Sequence, residues 1–338
     1  MSADCLTSAQ LLVRTALKIV EGERFVVVGD DSSEELTLAL EQAAKAAGAD
    51  ATSLRLDILR SQATNHSGMR PHKVLPDAIR RAMLASQASA FVATAPHAEG
   101  SMREQLLHIV AACRGRHAHM AGVSTAAFTA GCSVDFAELA SLGLERLKLV
   151  EVGGEITVES AAGTSLRVTV SASTRWVPRL GRVRPGSAVT FPTGSLLAHP
   201  ETVHGRFVAD ACVGEFFGAR EGALKTPVVL DVMHGTVTNV SAPGLPELEA
   251  DIQRVFEVSP NSSRVGAVVL GLNAGITEPL GEAQVDQHMP GLHLIVGDPN
   301  SRVTGATWSA ATAFAAVGRS HDVTIGDTAL VRGGAVAR

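Results

Sequence analysis

The sequence predicts an α/β N-terminal domain with a parallel sheet, followed by a mainly β (α+β) C-terminal domain. Two observations predict this class. Helical and extended patterns alternate over the first part of the chain, whereas short strands separated by Gly or Pro predominate further on. We place the division at residue 130, with an open α/β domain over 1–130 and a mainly β domain over 131–338.

Helices and strands alternate regularly in the N-terminal part. Ser8 is a predicted N-cap whose helix ends at Gly22. Ser32 and Glu35 have the spacing of a capping box, and the helix that they open ends at Gly48. A helix is predicted at 99–113, and strands are predicted at 25–28, 54–58, 88–95 and 117–123. This order indicates a βαβ unit and therefore a parallel sheet.

The C-terminal part carries strand patterns with turn residues between them. Alternation over 155–159 and 166–170, with Gly163 and Thr164 between, predicts a hairpin. One helix is predicted at 246–256, and further strands are predicted at 205–210, 228–232, 236–240, 265–270, 292–296 and 322–331. We therefore expect a mainly β domain here.

Composition excludes several classes of protein. The chain of 338 residues is 46% hydrophobic, which is too apolar for an intrinsically disordered protein. It contains no tyrosine, so no mechanism can use a phenol as acid or base. The net charge is −5, and the short arginine clusters at 80–81 and 179–184 are expected to be solvated surface. No nucleic-acid partner is therefore expected.

The cysteines and apolar runs predict the compartment. The four cysteines are dispersed along the chain, which favours free thiols in a reducing compartment; they are Cys5, Cys113, Cys132 and Cys212. The N-terminal residues lack the pattern of a signal peptide. No apolar run approaches the roughly 18 residues of a membrane span. We expect a cytoplasmic protein with no membrane partner.

Sharp catalytic motifs are absent from the sequence, and the local clusters have simple interpretations. The turn Gly29-Asp30-Asp31 follows a strand, but its carboxylates would repel a phosphate, so an ordinary βα turn is expected. His117 and His119 share one face of a predicted strand without a carboxylate nearby, which favours a structural or surface role. The loop between His66 and His72 is polar, and surface roles are expected for both.

Three stretches carry a resemblance to a known family. The sequence AGTSL at 162–166, followed by Arg175-Trp176, resembles "GTDL … RW"; FPTG at 191–194 resembles "LPTGE"; and GLHL at 291–294 resembles "GTVHIA". In order and spacing the chain resembles the thermophilic-type dinuclear metal aminopeptidases and their relatives, the 2,5-dihydroxypyridine dioxygenases. The resemblance implies an aminopeptidase-like two-domain architecture.

The resemblance also locates the family's metal ligands, most of which are changed here. Ser195 occupies the position of the first glutamate and Ala267 that of the second, whereas His293 matches the first histidine. The final H-x-D pair is compressed to His321-Asp322. Two divalent ions need anionic oxygen ligands, which a hydroxyl and a methyl group cannot supply. We therefore expect no metal, no cofactor and no catalytic residue.

Two enzymatic alternatives stay open. A mononuclear enzyme, either a ring-cleaving dioxygenase or a hydrolase, would hold Fe or Zn on His293, His321 and Asp322, with Asp327 replacing Asp322 if the register is shifted. Adjacent strand residues point to opposite faces, so His321 and Asp322 need a bulge to share one metal. Metal-free acid–base catalysis would use groups such as Glu215, Asp298 and His293.

The family's metal ligands are lost while its scaffold is retained, which favours a non-catalytic peptide-binding protein. The chain is similar in this respect to the metal-less peptide-binding proteins of crocagin biosynthesis, a ribosomal peptide pathway. The resemblance implies a precursor-peptide ligand, a partner modifying enzyme and a homodimer. The candidate groove residues are Arg175, Ser195, His199, His204, Arg206, His293, Asp298 and His321.

Overall fold

The computed structural model describes residues 2–63, 74–94 and 99–337, so His66 and His72 lie outside the described residues. The chain forms two compact units. The first comprises Met1–Glu138 and Gly181–Pro192, and the second comprises Leu139–Leu180 and Thr193–Arg338. Elements are numbered in chain order. None of the helices within the described ranges combines the length and the apolar character that crossing a membrane requires.

The first unit is built on a five-stranded sheet. Its strands are β1 (Arg24–Gly29), β2 (Asp50–Arg55), β3 (Ala88–Phe91), β4 (Arg116–His119) and β8 (Ser187–Thr190). Its helices are α1 (Ala3–Leu11), α2 (Glu34–Ala46), α3 (Leu56–Ala63), α4 (Asp77–Leu84), α5 (Glu99–Cys113) and α6 (Thr125–Gly131). The strand order is β2-β1-β3-β4-β8, and every neighbouring pair is parallel. The predicted parallel sheet is confirmed.

Two local predictions in this unit, at Ser8 and at 54–58, are wrong. Ser8 does not cap the first helix, because its hydroxyl donates to Thr129 O at 2.9 Å and Ser2 is the N-cap instead. The alternation at 54–58 continues as a strand only to Arg55. Leu56 begins α3, whose apolar side packs against Ile79 and Met83 in the core.

The turn after β1 is a capped helix start, but its residues differ from the predicted pair. Asp30, not Ser32, is the N-cap, and its carboxylate accepts from Ser33 N at 3.1 Å. The same carboxylate accepts from Thr94 N at 2.7 Å, which joins the ends of β1 and β3. The position where a nucleotide phosphate would bind in this kind of fold is therefore filled by the protein's own carboxylate.

The second unit contains two antiparallel sheets. The eight-stranded sheet has the order β13-β12-β10-β6-β5-β17-β18-β19. Its strands are β5 (Gly154–Glu159), β6 (Ser165–Val170), β10 (Thr202–Ala209), β12 (Val228–Met233), β13 (Thr236–Ser241), β17 (Asp322–Ile325), β18 (Thr328–Arg332) and β19 (Ala335–Val336). The predicted hairpin is β5–β6.

The six-stranded sheet has the order β11-β16-β15-β14-β9-β7. Its strands are β7 (Val177–Arg179), β9 (Ser195–Ala198), β11 (Cys212–Val213), β14 (Val265–Gly271), β15 (Gly291–Gly297) and β16 (Ala313–Val317). The helices of the second part of the chain are α7 (Phe136–Val150), α8 (Glu215–Glu221), α9 (Pro246–Glu257), α10 (Ala283–Asp286) and α11 (Ser301–Thr304). The predicted β-rich C-terminal part is confirmed.

Candidate functional site

One row of residues crosses four strands of the six-stranded sheet and aligns distant parts of the sequence. The register pairs Arg179 of β7 with Ser195 of β9, Ser195 with Gly271 of β14, and Gly271 with Gly291 of β15. Directly paired residues project to the same side of a sheet. This side, which we call the site face, therefore carries Ser195, the residue that the sequence resemblance aligns with a metal-binding glutamate.

Ser195 is hydrogen-bonded on the site face to a histidine that the sequence analysis missed. The Oγ atom of Ser195 lies 3.0 Å from Nδ1 of His288, and both side chains are buried. A Cβ atom at Gly271 would overlap Met289 O, so the glycine lets the backbone at 288–289 lie directly on the sheet. His288 lies in a loop that has no periodic pattern, so the sequence offered no signal for it.

A second pair of histidines lies further along the site face. The rings of His293 and His321 have centroids 5.8 Å apart, and both residues are fully buried. His293 donates from Nε2 to Met289 O at 2.8 Å. His293 Nδ1 and both ring nitrogens of His321 make no hydrogen bond within the described residues, although the Leu292 backbone favours the protonated form of His321.

Burial keeps these imidazoles neutral. Desolvation lowers the pKa of His293 to about 4, although its bond to Met289 O acts in the opposite direction. Desolvation also lowers the pKa of His321 to about 3, and the nearby His293 adds to this effect. Burial, with the charge of Arg179, lowers the pKa of His288 to about 3. All three rings are therefore uncharged at pH 7.

The two carboxylates considered as the third ligand of a metal ion lie at exposed positions, whereas the histidines are buried. Asp322 is exposed, and its Oδ1 accepts from Gly333 N at 2.6 Å, whereas the preceding His321 is buried. Asp327 is exposed in the turn between β17 and β18. Over residues 2–63, 74–94 and 99–337, no group of three or more His, Cys, Asp or Glu side chains is placed to hold a metal ion.

The position of the second family glutamate is apolar. Ala267 is buried in a cluster with Leu197 and Val269, against which further aliphatic side chains pack; these are Val177, Ile295 and Val303. An ion on the site face would therefore meet neutral imidazoles, a hydroxyl and aliphatic carbon, and the described residues include no group of carboxylates placed to balance its charge. The residues present do not fit the metal centre of the family.

The Ser195–His288 pair is poorly arranged for nucleophilic catalysis. A base for a serine needs a pKa near the working pH, but that of His288 is lowered to about 3. Its Nε2 atom makes no hydrogen bond to the described residues, so no carboxylate orients the ring. Ser195 is also inaccessible to solvent. The arrangement orders the site face and does not activate the hydroxyl.

The remaining groove candidates lie in separate places. Arg175 and His199 line a cleft of about 360 Å³, in which His199 Nδ1 donates to Gly266 O at 2.6 Å. His204 and Arg206 are exposed on the eight-stranded sheet, where Arg206 pairs with Asp231 at 2.8 Å.

Asp298 closes a turn, because its Oδ1 accepts from Asn300 N at 2.8 Å. The side chain of Glu215 lies outside the described part of the structure. The structure therefore brings together Ser195, His293 and His321 on the site face, and Arg175 with His199 in a cleft. It does not bring all the candidates into one groove.

A second cleft, of about 860 Å³, lies beside the buried histidines, and we call it the β19 cleft. Met289, whose carbonyl accepts from His293, and Ser320, which precedes His321, both line it. Its other lining residues are Leu142, Asp210, Ala274, Ile276, Thr277, Glu278, Pro290, Arg319 and 333–337. Asp210 forms an ion pair with Arg319, whose Nε lies 3.7 Å from Asp210 Oδ2. The backbone N–H of Arg319 donates to Asp210 Oδ1, and its Nη2 donates to the backbone carbonyl of Asp210.

The paired histidines of the first unit are structural. His117 and His119 share a face of β4, as predicted, and their Nε2 and Nδ1 atoms lie 3.4 Å apart. His117 Nδ1 lies 2.8 Å from Ser89 Oγ, and the ring of His119 stacks on Phe91. Both are buried, so they complete the core of the sheet.

Comparisons with known proteins give the fold. No protein-family model matches the chain, and no curated protein matches its sequence. Among solved structures, 2,5-dihydroxypyridine dioxygenase from Pseudomonas putida is similar, with a TM-score of 0.64 and 17% identity over 100% of this chain and 98% of that one. The aminopeptidase AmpT from Thermus thermophilus is similar with a TM-score of 0.63 and 14% identity over 99% of each chain. The chain thus has an aminopeptidase-like two-domain fold.

Proposed function

We propose that the protein binds a peptide without a metal ion and without catalysing a reaction. The observation that carries this proposal is the donor set of the site face. Ser195 and Ala267 replace the two glutamates that the family resemblance places there, and Ala267 lies among aliphatic side chains. Such a site cannot balance the charge of bound metal ions. The aminopeptidase-like scaffold around it nevertheless keeps a shape suited to peptides.

The β19 cleft offers a place for an extended peptide. β19 is the last strand of the eight-stranded sheet, so its outer edge has no strand partner within the described residues. Ala335 and Val336 of this strand line the cleft together with apolar residues such as Ile276 and Met289. A peptide can add to such an edge by backbone hydrogen bonds while its side chains enter the cleft.

The proposal includes the setting in which the peptide would be bound. By its resemblance to the metal-less proteins of crocagin biosynthesis, the protein would present a ribosomally made precursor peptide to a partner modifying enzyme. It would act in the cytoplasm as a homodimer. These finer statements rest on the resemblance, and the β19 cleft supports only the binding of a peptide.

The test is peptide selection followed by calorimetry. A peptide is selected from a random display library against the full-length protein, and its binding is measured before and after treatment with EDTA. We expect unchanged affinity after EDTA and a large loss in Val336→Asp. Val258→Asp is the matched control, because Val258 is 58% exposed and lies outside the cleft. Failure to select any binder, or loss of binding after EDTA, would contradict the proposal.

One observation favours a second candidate, a mononuclear metal enzyme. Three buried imidazole nitrogens of His293 and His321 lack partners within the described residues, and imidazole is a common metal ligand. Asp322 would have to leave Gly333 N and reach the opposite side of β17 to complete the triad. Metal analysis of the purified protein distinguishes the two candidates.

A further inference from the structure

A cleft of about 400 Å³ lies at the amino ends of the strands of the first unit, and we call it the arginine cleft. Three arginines from two distant parts of the sequence line it: Arg24 begins β1, Arg116 begins β4, and Arg114 lies in the turn before β4. Its other lining residues are Glu23, Leu84, Ala85, Ser86, Gln87, Cys113 and Pro185. Because Asp30 follows the carboxyl end of β1, the turn that it caps lies at the other end of the sheet.

Two of the three guanidiniums carry a charge that no described residue balances. Arg116 is half-buried, and its Nη2 donates to Glu23 at 2.5 Å, so these two charges cancel. Arg24 and Arg114 are exposed, and their side chains make no hydrogen bond or ion pair with the described residues. Since Glu23 is the single acidic residue of the lining, the arginine cleft keeps two positive charges.

Two helix ends lie beside the arginine cleft, but they do not need these charges as caps. α4 ends at Leu84 and α5 at Cys113, and the negative charge of a helix C-terminus resides on its unpaired carbonyls. In both helices, carbonyls of the last turn accept from backbone N–H groups beyond the helix, such as that of Gly115, which donates to Val110 O at 3.0 Å. The guanidiniums therefore remain available to a ligand.

Gln87 adds a neutral donor to the arginine cleft. Its Oε1 accepts from Arg24 N at 2.9 Å, which orients the side-chain amide. Its Nε2 makes no hydrogen bond with the described residues. Leu84, which is 48% exposed, and Pro185 supply apolar surface. The lining thus combines two cations, an amide donor and aliphatic carbon.

We propose that the arginine cleft binds the phosphoryl group of a small organic phosphomonoester, with Arg24 and Arg114 as charged donors and Gln87 as a neutral one. A phosphomonoester carries about 1.5 to 2 negative charges at pH 7, which two guanidiniums balance, whereas a carboxylate would balance only one of them. Guanidinium groups bind phosphate oxygens through paired, charge-assisted hydrogen bonds. The cleft has the volume of a small-molecule site, so the ester group would contact Leu84 and Pro185.

The first test uses phenyl phosphate as the probe and Cys113 as the reporter. Cys113 lines the arginine cleft and is half-buried, whereas the other three cysteines are buried. At constant ionic strength, phenyl phosphate should slow the alkylation of Cys113 by iodoacetamide with saturation, and should raise Tm over the same concentrations. Peptide mass spectrometry measures the alkylation. Arg24→Gln and Arg114→Gln should each weaken the apparent affinity about tenfold or more.

Arg14→Gln is the matched control, because Arg14 is exposed and lies outside the arginine cleft. Its affinity for phenyl phosphate should equal that of the wild type. The site is wrong if phenyl phosphate changes neither the alkylation rate nor Tm, or if both cleft variants bind it as tightly as the wild type. Equally tight binding of acetate would contradict the phosphoryl group as the ligand. Equally tight binding of inorganic phosphate would show that free phosphate, and not an ester, is bound.

The second test measures the charge of the arginine cleft without a ligand. Iodoacetate and iodoacetamide react with the same thiolate but differ in charge, so the ratio of their rates at Cys113 reports the local potential. The ratio should be higher in the folded protein than in urea, and it should fall in both cleft variants but not in Arg14→Gln. A folded-state ratio as low as that in urea would overturn the proposal. Neither test involves the β19 cleft, so the outcome for peptide binding is independent of both.

Discussion

Histidines buried as neutral imidazoles are the main titratable groups of the described core. Besides the three on the site face, His117 in the first unit is fully buried, and desolvation lowers its pKa to about 3. In the unfolded chain each of these side chains would titrate near 6.5. Folding therefore favours the deprotonated form at all four positions; they are His117, His288, His293 and His321.

We predict that the protein loses stability on mild acidification. The unfolded chain binds protons below pH 6.5 that the folded chain does not bind until about pH 4 for His293 and about pH 3 for the other three. Each histidine lowers the free energy of unfolding by up to about 1.4 kcal/mol per pH unit across that window. Urea unfolding at several pH values between 7 and 4.5 measures the slope.

Two variants make this prediction specific. His321→Asn should reduce the slope by one histidine's share, whereas His204→Asn should leave it unchanged, because His204 is exposed. A flat stability profile between pH 6.5 and 4.5 would show that the buried histidines are already protonated or accessible in the folded protein.

At the scale of elements, the turn between β1 and α2 is held by one carboxylate. Asp30 accepts hydrogen bonds from the backbone of Ser33 and Thr94 and from the hydroxyls of Ser32 and Ser33. These contacts connect the start of a helix to the ends of two adjacent strands, so they stabilise the central part of the sheet.

We predict that Asp30→Ala lowers the free energy of unfolding by about 1–2 kcal/mol, because it removes an N-cap and the carboxylate that accepts from Ser33 N and Thr94 N. Asp31→Ala is the neighbouring control. The Asp31 side chain is 87% exposed and pairs with Arg55 at the surface, so its loss should cost less than about 0.5 kcal/mol. Chemical unfolding of both variants decides the point, and equal effects would refute the special role of Asp30.

Elements were predictable where the signal is local. The helix α5 and the hairpin β5–β6 follow from periodicity and turn residues within a short window. Leu56 shows the limit of such reasoning, because apolar alternation fits both a strand and the buried side of a helix. β8 could not be foreseen, since it leaves the neighbouring sequence and joins the N-terminal sheet beside β4.

The residues of the candidate site were likewise predictable only where the sequence carries a signal for them. His293 and His321 were predicted from a resemblance in sequence motifs, and the structure places their rings together. His288 was missed, because its contact with Ser195 is made from a loop without periodicity and far away in sequence. No local sequence pattern predicts which distant strands pair with each other.

At the scale of the whole molecule, the arrangement of helices and strands is shared with the two similar solved structures. Both solved relatives are covered almost completely at 17% and 14% identity, so the arrangement of elements is shared even though few residues are. On the site face, the positions that would bind ions hold neutral or aliphatic side chains, and the cation Arg179 lies at its edge. The central claim of the proposed function is that these positions bind no metal ion.

Metal content after loading tests this central claim most directly. The purified protein and His293→Ala are incubated with excess Fe²⁺, Zn²⁺ or Mn²⁺, desalted, and analysed by elemental mass spectrometry. We predict far less than one equivalent of each metal in both proteins. One metal ion per chain in the wild type, lost in His293→Ala, would contradict the account and favour the mononuclear metal enzyme instead.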